Sequence, residues 1–172
     1  DGVDHVLGVH VMSTMKTGNV YYRPGYVQTG RAFFKLKVQG KGGHGSSPHM
    51  ANDAIVAGSY FVTALQTVVS RRLSPFETGV VTIGSFDGKG QFNVIKDVVE
   101  IEGDVRGLTD ATKATIEKEI KRLSKGLEDM YGVTCTLEYN DDYPALYNDP
   151  EFTEYVVHTF QHQNQGLLLS TS

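Results

Sequence analysis

The residues best suited to chemistry lie in a glycine-rich segment, residues 40–49, where four glycines surround His44 and His49. Glycines at this density let a ligand or another chain approach the backbone closely. A histidine ring N–H in such a segment can donate to the oxyanion that forms when a substrate carbonyl is attacked. Backbone N–H groups before a helix would also suit an anion, but the Gly-Lys-Ser/Thr ending of a phosphate-binding loop is missing. The alternative interpretation is a turn with two exposed histidines.

Other residues with metal-binding or nucleophilic side chains are scattered. His10 stands in an apolar run, residues 6–12, that predicts a buried strand, and strand ends of α/β sheets commonly carry ligands. His158 and His162 are four apart on a predicted helix, as in helical zinc pairs, but no Glu follows His158, so we interpret them as surface residues. Cys135 falls in a predicted strand, which favours an inert thiol. The residue types alone therefore complete no catalytic set.

Hydrophobic periodicity predicts the elements that would position these residues. Strand-like alternation and helix-like spacing follow one another between residues 29 and 140 in the order β-α-β-β-α-β, the pattern of a ferredoxin-like sandwich. We therefore predict an α/β (α+β) fold. The predicted strands are 32–38, 79–86, 94–105 and 133–139, and the predicted helices begin near Ala51 and, with Asp110 as N-cap, near residue 110.

Composition limits the organisation and the partners of this 172-residue chain. The two flanks of the ferredoxin-like pattern are too short to bury a core, so we expect an insertion in a second domain, with segments 1–26, 27–141 and 142–172. The formal charge of −4 without a Lys/Arg block argues against nucleic acid and anionic membranes. No apolar run is long enough to span a bilayer, and one cysteine forms no internal disulfide, so we expect a cytoplasmic protein.

Four motifs in order carry a resemblance to a known family. They are Leu7-Gly8-Val9-His10, residues 40–49 followed by Asn52-Asp53, Gln91-Phe92-Asn93-Val94-Ile95, and Glu102-Gly103-Asp104-Val105-Arg106. Over about residues 1–160 the sequence resembles the metal-dependent amidohydrolases of the aminoacylase, carboxypeptidase G and succinyl-diaminopimelate desuccinylase superfamily. It is most similar to the hippurate hydrolase and auxin-conjugate amidohydrolase branch.

The resemblance implies roles for four residues. In that family a ferredoxin-like lid interrupts a zinc-binding α/β catalytic domain and forms the homodimer. His10 would be a ligand of a divalent metal, zinc in the first place, with manganese and cobalt as alternatives. His44 would reach into the partner subunit's active site and stabilise the tetrahedral intermediate. Asn93 would contact the carboxylate side of the substrate, and Arg106 would bind substrate or support strand pairing.

The resemblance also implies the reaction. It is the metal-assisted hydrolysis of an N-acyl amino acid or small dipeptide-like substrate, with a metal-bound water as nucleophile and a Glu as base. The Cys-x-His motif, the Glu pair and the last His ligand are expected before Asp1 and beyond Ser172, so this chain alone is expected to be inactive. One departure is Lys96, where the family usually has proline.

Two other classes of function compete with a lid. A stand-alone ferredoxin-like module that binds a ligand or a partner is the alternative, because a fold does not fix a function. An RNA-binding ferredoxin-like domain is disfavoured, because the predicted strand at residues 98–105 is acidic where an RNA platform is basic and aromatic.

Overall fold

The computed structural model describes residues 2–163 and 168–171, and the chain divides into two compact units. The ferredoxin-like unit is Thr29–Ala145, and the flanking unit combines Asp1–Gln28 with Leu146–Ser172. The strands, in chain order, are β1 (Asn19–Tyr22), β2 (Gly25–Gln28), β3 (Gly30–Gln39), β4 (Gly43–His44), β5 (Gly79–Asp87), β6 (Val94–Ile95), β7 (Val98–Gly107), β8 (Thr134–Tyr143), β9 (Leu146–Asn148) and β10 (Leu168–Thr171). The α-helices are α1 (Ala54–Arg72), α2 (Asp110–Tyr131) and α3 (Pro150–Gln163).

The ferredoxin-like unit has a four-stranded sheet in the order β5-β7-β3-β8, with every neighbouring pair antiparallel. Helices α1 and α2 connect the strands in the order β3-α1-β5-β7-α2-β8 and pack beside each other. The predicted ferredoxin-like fold is therefore confirmed. The predicted single strand at 94–105 is wrong in one respect, because the chain breaks at Lys96 and Asp97 into β6 and β7.

One face of this sheet carries the core. Side chains alternate along β3, so that Phe34, Leu36 and Val38 are buried while the residues between them are not. Phe61 of α1 lies edge-on to Phe34, and Ile120 of α2 belongs to the same cluster. This alternation lets one face bury its apolar side chains against two helices and leaves the opposite face polar.

The helices begin and end at residues that satisfy their free backbone groups. Asp53 accepts hydrogen bonds from the first N–H groups of α1, as its position predicts. The predicted N-cap of α2, Asp110, is wrong by one residue. The N-cap is Thr109, whose hydroxyl accepts from the Thr112 N–H. Helix α2 ends at Gly132, whose φ of 62° is left-handed.

The flanking unit contains two short strand pairs and α3. Strand β1 pairs with β10 in parallel, and β2 pairs with β9 antiparallel; none of these four strands was predicted. Helix α3 begins after Asp149, whose side chain accepts from the Phe152 N–H. The predicted buried strand at residues 6–12 is wrong: this segment is irregular, and Val9 is 82% exposed. A buried strand needs partner strands, and none of the described strands pairs with this segment.

Candidate functional site

His44 and Asn93 are brought together by two very short strands. In the antiparallel pair of β4 and β6, Gly43 lies opposite Ile95 and His44 lies opposite Val94. The next residue, Gly45, donates its N–H to the Asn93 carbonyl at 2.8 Å, and a Cβ on Gly45 would lie 2.9 Å from that oxygen. Only glycine allows this approach, so the glycine at position 45 has a structural reason. Both His44 and Asn93 are exposed, so a ligand could reach them.

The His44 ring is oriented by Ser46. The Ser46 N–H lies 3.2 Å from His44 Nδ1, and the Ser46 hydroxyl lies 2.8 Å from the same nitrogen. A backbone N–H can only donate, so Nδ1 is the acceptor, and in the neutral imidazole the proton is then on Nε2. The arrangement therefore presents an exposed Nε2–H that can donate a hydrogen bond to an oxygen atom.

The loop that carries His44 is closed at its base by Asn52. Lys41 and Asn52 exchange two backbone hydrogen bonds of 2.9 Å. The Asn52 side-chain amide donates to the carbonyls of Tyr131 and Gly132 at the end of α2, at 3.2 and 2.7 Å. Asn52 thus ties the loop to the helix end. Asn52 belongs to one of the sequence motifs, but nothing in the spacing of residues indicated that its side chain would bind the end of α2.

Arg106 lies far from His44 and Asn93 within the ferredoxin-like unit. The segment that holds His44 meets the start of β7, where Gly40 donates its N–H to the Asp97 carbonyl at 2.7 Å. Arg106 lies near the other end of β7, eight residues beyond Val98. At about 3.3 Å per residue, the two places are about 26 Å apart along the strand. We call them the His44 end and the Arg106 end of the sheet.

At the Arg106 end, the guanidinium is held by two side chains. Its Nε donates to Asp104 Oδ2 at 2.7 Å, and its Nη1 donates to the Tyr143 hydroxyl at 2.9 Å. The hydrogen bond to Asp104 is the main reason why the pKa of Arg106 is raised above its usual value. Asp104 also accepts from Arg31 at 3.0 Å, so one carboxylate serves two guanidinium groups. No sequence signal indicated Tyr143 as a partner of Arg106.

The remaining candidates lie apart from these two places. His10 belongs to the flanking unit and is exposed on irregular chain. His158 and His162 lie with ring centroids 4.6 Å apart on α3. Across residues 2–163 and 168–171, no three His, Cys, Asp or Glu side chains come together as a metal site, so these residues alone do not fit a metal ion. None of the helices in the same described ranges could cross a membrane.

Cys135 is half-buried beside α2, and burial raises the pKa of its thiol to about 11. A thiol with such a pKa stays protonated at neutral pH, which agrees with the predicted inert role.

Sequence comparison places this chain among parts of larger proteins. Residues 26–129 match the family model of the peptidase dimerisation domain, M20_dimer. The chain is 37% identical to YhaA of Bacillus subtilis, assigned as an amidohydrolase, over 92% of this chain and 40% of that protein. It is 35% identical to an N-acetyldiaminopimelate deacetylase of Listeria monocytogenes over 93% of this chain and 43% of that protein. The chain thus spans less than half the length of these relatives.

Solved structures give the same result. A crystal structure assigned as an aminohydrolase, from methicillin resistant Staphylococcus aureus, is 91% identical with a TM-score of 0.88, and the match covers 100% of this chain and 44% of that one. YxeP of Bacillus subtilis, described as a dinuclear metal binding peptidase of the M20 family, has a TM-score of 0.72 at 20% identity, over 95% of this chain and 39% of that one. This second likeness concerns the fold alone. With the family model matching more than half of its length, the chain belongs to the peptidase dimerisation domain family.

Proposed function

We propose that this chain is the lid and dimerisation portion of a metal-dependent amidohydrolase of the cytoplasm. The substrate is an N-acyl amino acid or a small peptide-like amide, as the names of the relatives suggest. The lid comprises about residues 27–141, between catalytic-domain segments 1–26 and 142–172. Catalysis needs the remainder of the protein, so the 172-residue chain alone is inactive.

The observation that carries this proposal is the oriented ring of His44 beside the exposed Asn93. His44 acts as the electrophilic catalyst: its Nε2–H donates to the amide oxygen as that oxygen gains negative charge. The contact with Ser46 keeps the proton on the required nitrogen before the substrate arrives. Asn93, held one residue beyond the β4–β6 pair, donates its side-chain amide to the carboxylate side of the substrate.

Arg106 binds the substrate carboxylate in a different copy of the site from the one that His44 of the same chain serves. Arg106 lies about 26 Å along β7 from the start of that strand, where the segment that holds His44 meets it. That separation exceeds the size of an N-acyl amino acid, so one chain cannot bring both to one substrate. His44 and Asn93 of one chain therefore act on a different copy of the site from Arg106 of that chain, and we propose, as the family resemblance implies, that His44 is the residue that reaches the partner subunit's site.

The outer edge of β5 and the exposed face of α1 support a two-fold interface between lids. Strand β5 is an edge strand and carries no charged residue before Asp87, whereas the opposite edge, β8, carries Glu138, Asp141 and Asp142. Charges on an edge strand discourage pairing, so β5 is the edge that suits a second copy. Helix α1 likewise has no charged residue before Arg71.

Pairing of β5 with its two-fold copy would also place the ends of the lids correctly. Antiparallel pairing across a two-fold axis reverses the strand direction of the second copy. The His44 end of one lid then lies at the same end of the extended sheet as the Arg106 end of the other lid. This arrangement supports a site that draws residues from both subunits.

His10 is the residue of this chain that we propose as a metal ligand. A neutral imidazole suits zinc, manganese or cobalt, and we propose zinc. Since the described residues hold no cluster of three metal-binding side chains, we propose that other ligands come from the remainder of the protein.

Hydrolysis by the full-length gene product tests the proposal. A panel of N-acetyl and N-benzoyl amino acids is assayed with zinc, manganese or cobalt, using wild-type protein, His44→Ala and His49→Ala. His49 lies in the same loop and is exposed, so it controls for loop changes. We expect a loss of kcat on the order of a hundredfold or more in His44→Ala, as when an oxyanion donor is removed, and near-normal turnover in His49→Ala. Absence of turnover with every metal would favour the stand-alone module instead.

A further inference from the structure

Three side chains form a row across the sheet at the Arg106 end. Arg31 of β3 lies between Arg106 of β7 and Tyr143 of β8, opposite both in register. Tyr143 is the last residue of β8 and lies two residues before the end of the ferredoxin-like unit. The Arg106 guanidinium reaches over the middle strand to the Tyr143 hydroxyl at 2.9 Å.

A β-bulge turns Tyr143 toward Arg106. Along β8, Cys135, Leu137 and Tyr139 pack against the core that α1 and α2 cover. Strict alternation would place Tyr143 on that same side. The register shifts between Arg31 and Ala32, which pair with Tyr143 and Asp141, so Asp142 is the extra residue. A bulge of this kind re-aims the following side chain, and here it moves Tyr143 to the open face.

The backbone of Tyr143 is held by a buried lysine of α2. Lys113 of α2 is buried, with its side chain 4% exposed, and its ammonium donates to the Tyr143 carbonyl at 3.1 Å and to Asp141. Gly30 packs against the same stretch, since a Cβ there would lie 2.9 Å from the Tyr143 carbonyl oxygen. Lys113 and Gly30 therefore hold the bulge in one conformation, and a phenol on a fixed backbone is a well-placed hydrogen-bond acceptor.

We propose that Tyr143 is a positioning residue, which holds the Arg106 guanidinium in the orientation that binds the substrate carboxylate. Asp104 and Tyr143 engage two of its five N–H donors, and the others remain for a carboxylate. Asp104 alone holds the planar guanidinium at one donor, so the whole group can still swing about that contact. The hydroxyl on Nη1 removes that freedom. This inference rests on the proposed role of Arg106.

Kinetics of the full-length protein test the inference with a matched control. Tyr143→Phe removes only the hydroxyl that accepts from Arg106. Tyr139→Phe removes a hydroxyl from the same strand that is buried and has no hydrogen-bond partner among the described residues. For an N-acyl amino acid we expect KM to rise about tenfold in Tyr143→Phe with kcat nearly unchanged, the loss expected for one hydrogen bond. The corresponding N-acyl amino acid amide, which lacks the carboxylate, should show no such rise, and Tyr139→Phe should match the wild type.

A second measurement on the 172-residue chain separates this inference from the proposed function. NMR of the arginine side chains reports rotation within each guanidinium group. We expect slow rotation for Arg106 in the wild type and in Tyr139→Phe, and fast rotation in Tyr143→Phe. Equal rotation in all three, or an equal rise in KM for the acid and the amide, would overturn the positioning role. If Arg106 rotates slowly in the wild type and fast in Tyr143→Phe, but the full-length wild-type protein shows no turnover, the proposed function would be overturned and the positioning role of Tyr143 would not.

Discussion

His44 is oriented by a contact that spans only two residues. Ser46 donates to Nδ1, and the exposed Nε2 keeps the proton. The contact between Tyr143 and Arg106 is not local. The position of Tyr143 depends on a strand register set by residues far away in sequence. A side chain fixed locally is easier to foresee than one fixed by register. The glycine-rich segment made His44 a candidate from the sequence, but neither its contact with Ser46 nor the role of Tyr143 was predicted.

The thiol of Cys135 provides a prediction at the residue scale. Burial raises its pKa to about 11, so the fold favours the protonated thiol. At pH 8 about one thiol in a thousand is then ionised, against about a quarter for a free cysteine with a pKa of about 8.5. Iodoacetamide at pH 8 should react on the order of a hundredfold more slowly with the folded chain than with the chain in urea. Equal rates before and after unfolding would show that Cys135 is not protected.

At the scale of elements, the end of α2 and the loop of His44 depend on each other. Asn52 donates to the last carbonyls of α2, and Gly132 ends the helix with a φ of 62°. A Cβ on Gly132 would lie 2.6 Å from the Asn52 amide nitrogen. Any side chain at Gly132 therefore disturbs both the helix end and the base of the loop.

We expect Gly132→Ala to destabilise the chain by about 1–2 kcal/mol, because L-residues are strained in the left-handed region. Gly126→Ala is the matched control: this glycine lies within α2, and an added Cβ would meet nothing within 4 Å. Alanine favours a helix interior over glycine, so the control should be more stable by up to about 1 kcal/mol. Urea denaturation followed by circular dichroism measures both. A tolerated Gly132→Ala would contradict the capping role.

The long elements were predictable from the sequence, and the short ones were not. Helix α2 repeats apolar residues such as Ile116 and Ile120 over 22 residues, which is ample for a periodic signal. Strands β4 and β6 have two residues each, too few for any period, so the pairing that joins His44 and Asn93 could not be foreseen. The apolar run at residues 6–12 has the pattern of a buried strand, but burial also depends on partners outside the segment.

For the whole molecule, the ferredoxin-like unit carries the proposed site residues at two ends and has one edge strand, β5, with no charged residue before Asp87. The His44 end and the Arg106 end lie at opposite limits of β7, and β5 offers a pairing surface between them. A two-fold dimer through β5 would place the His44 end of one subunit and the Arg106 end of the other at the same end of the extended sheet. We therefore propose that His44 acts on the active site of the partner subunit.

Subunit mixing tests this claim most directly. Full-length His10→Ala and His44→Ala proteins, each inactive alone, are unfolded together, refolded with metal and assayed on an N-acyl amino acid. If His44 acts across the dimer, each mixed dimer contains one complete site, and about a quarter of wild-type activity returns because half of the dimers are mixed. Thr82→Lys at the β5 edge, added to both proteins, should abolish this recovery by preventing pairing. A mixture that stays as inactive as its components, although mixed dimers form, would contradict the account.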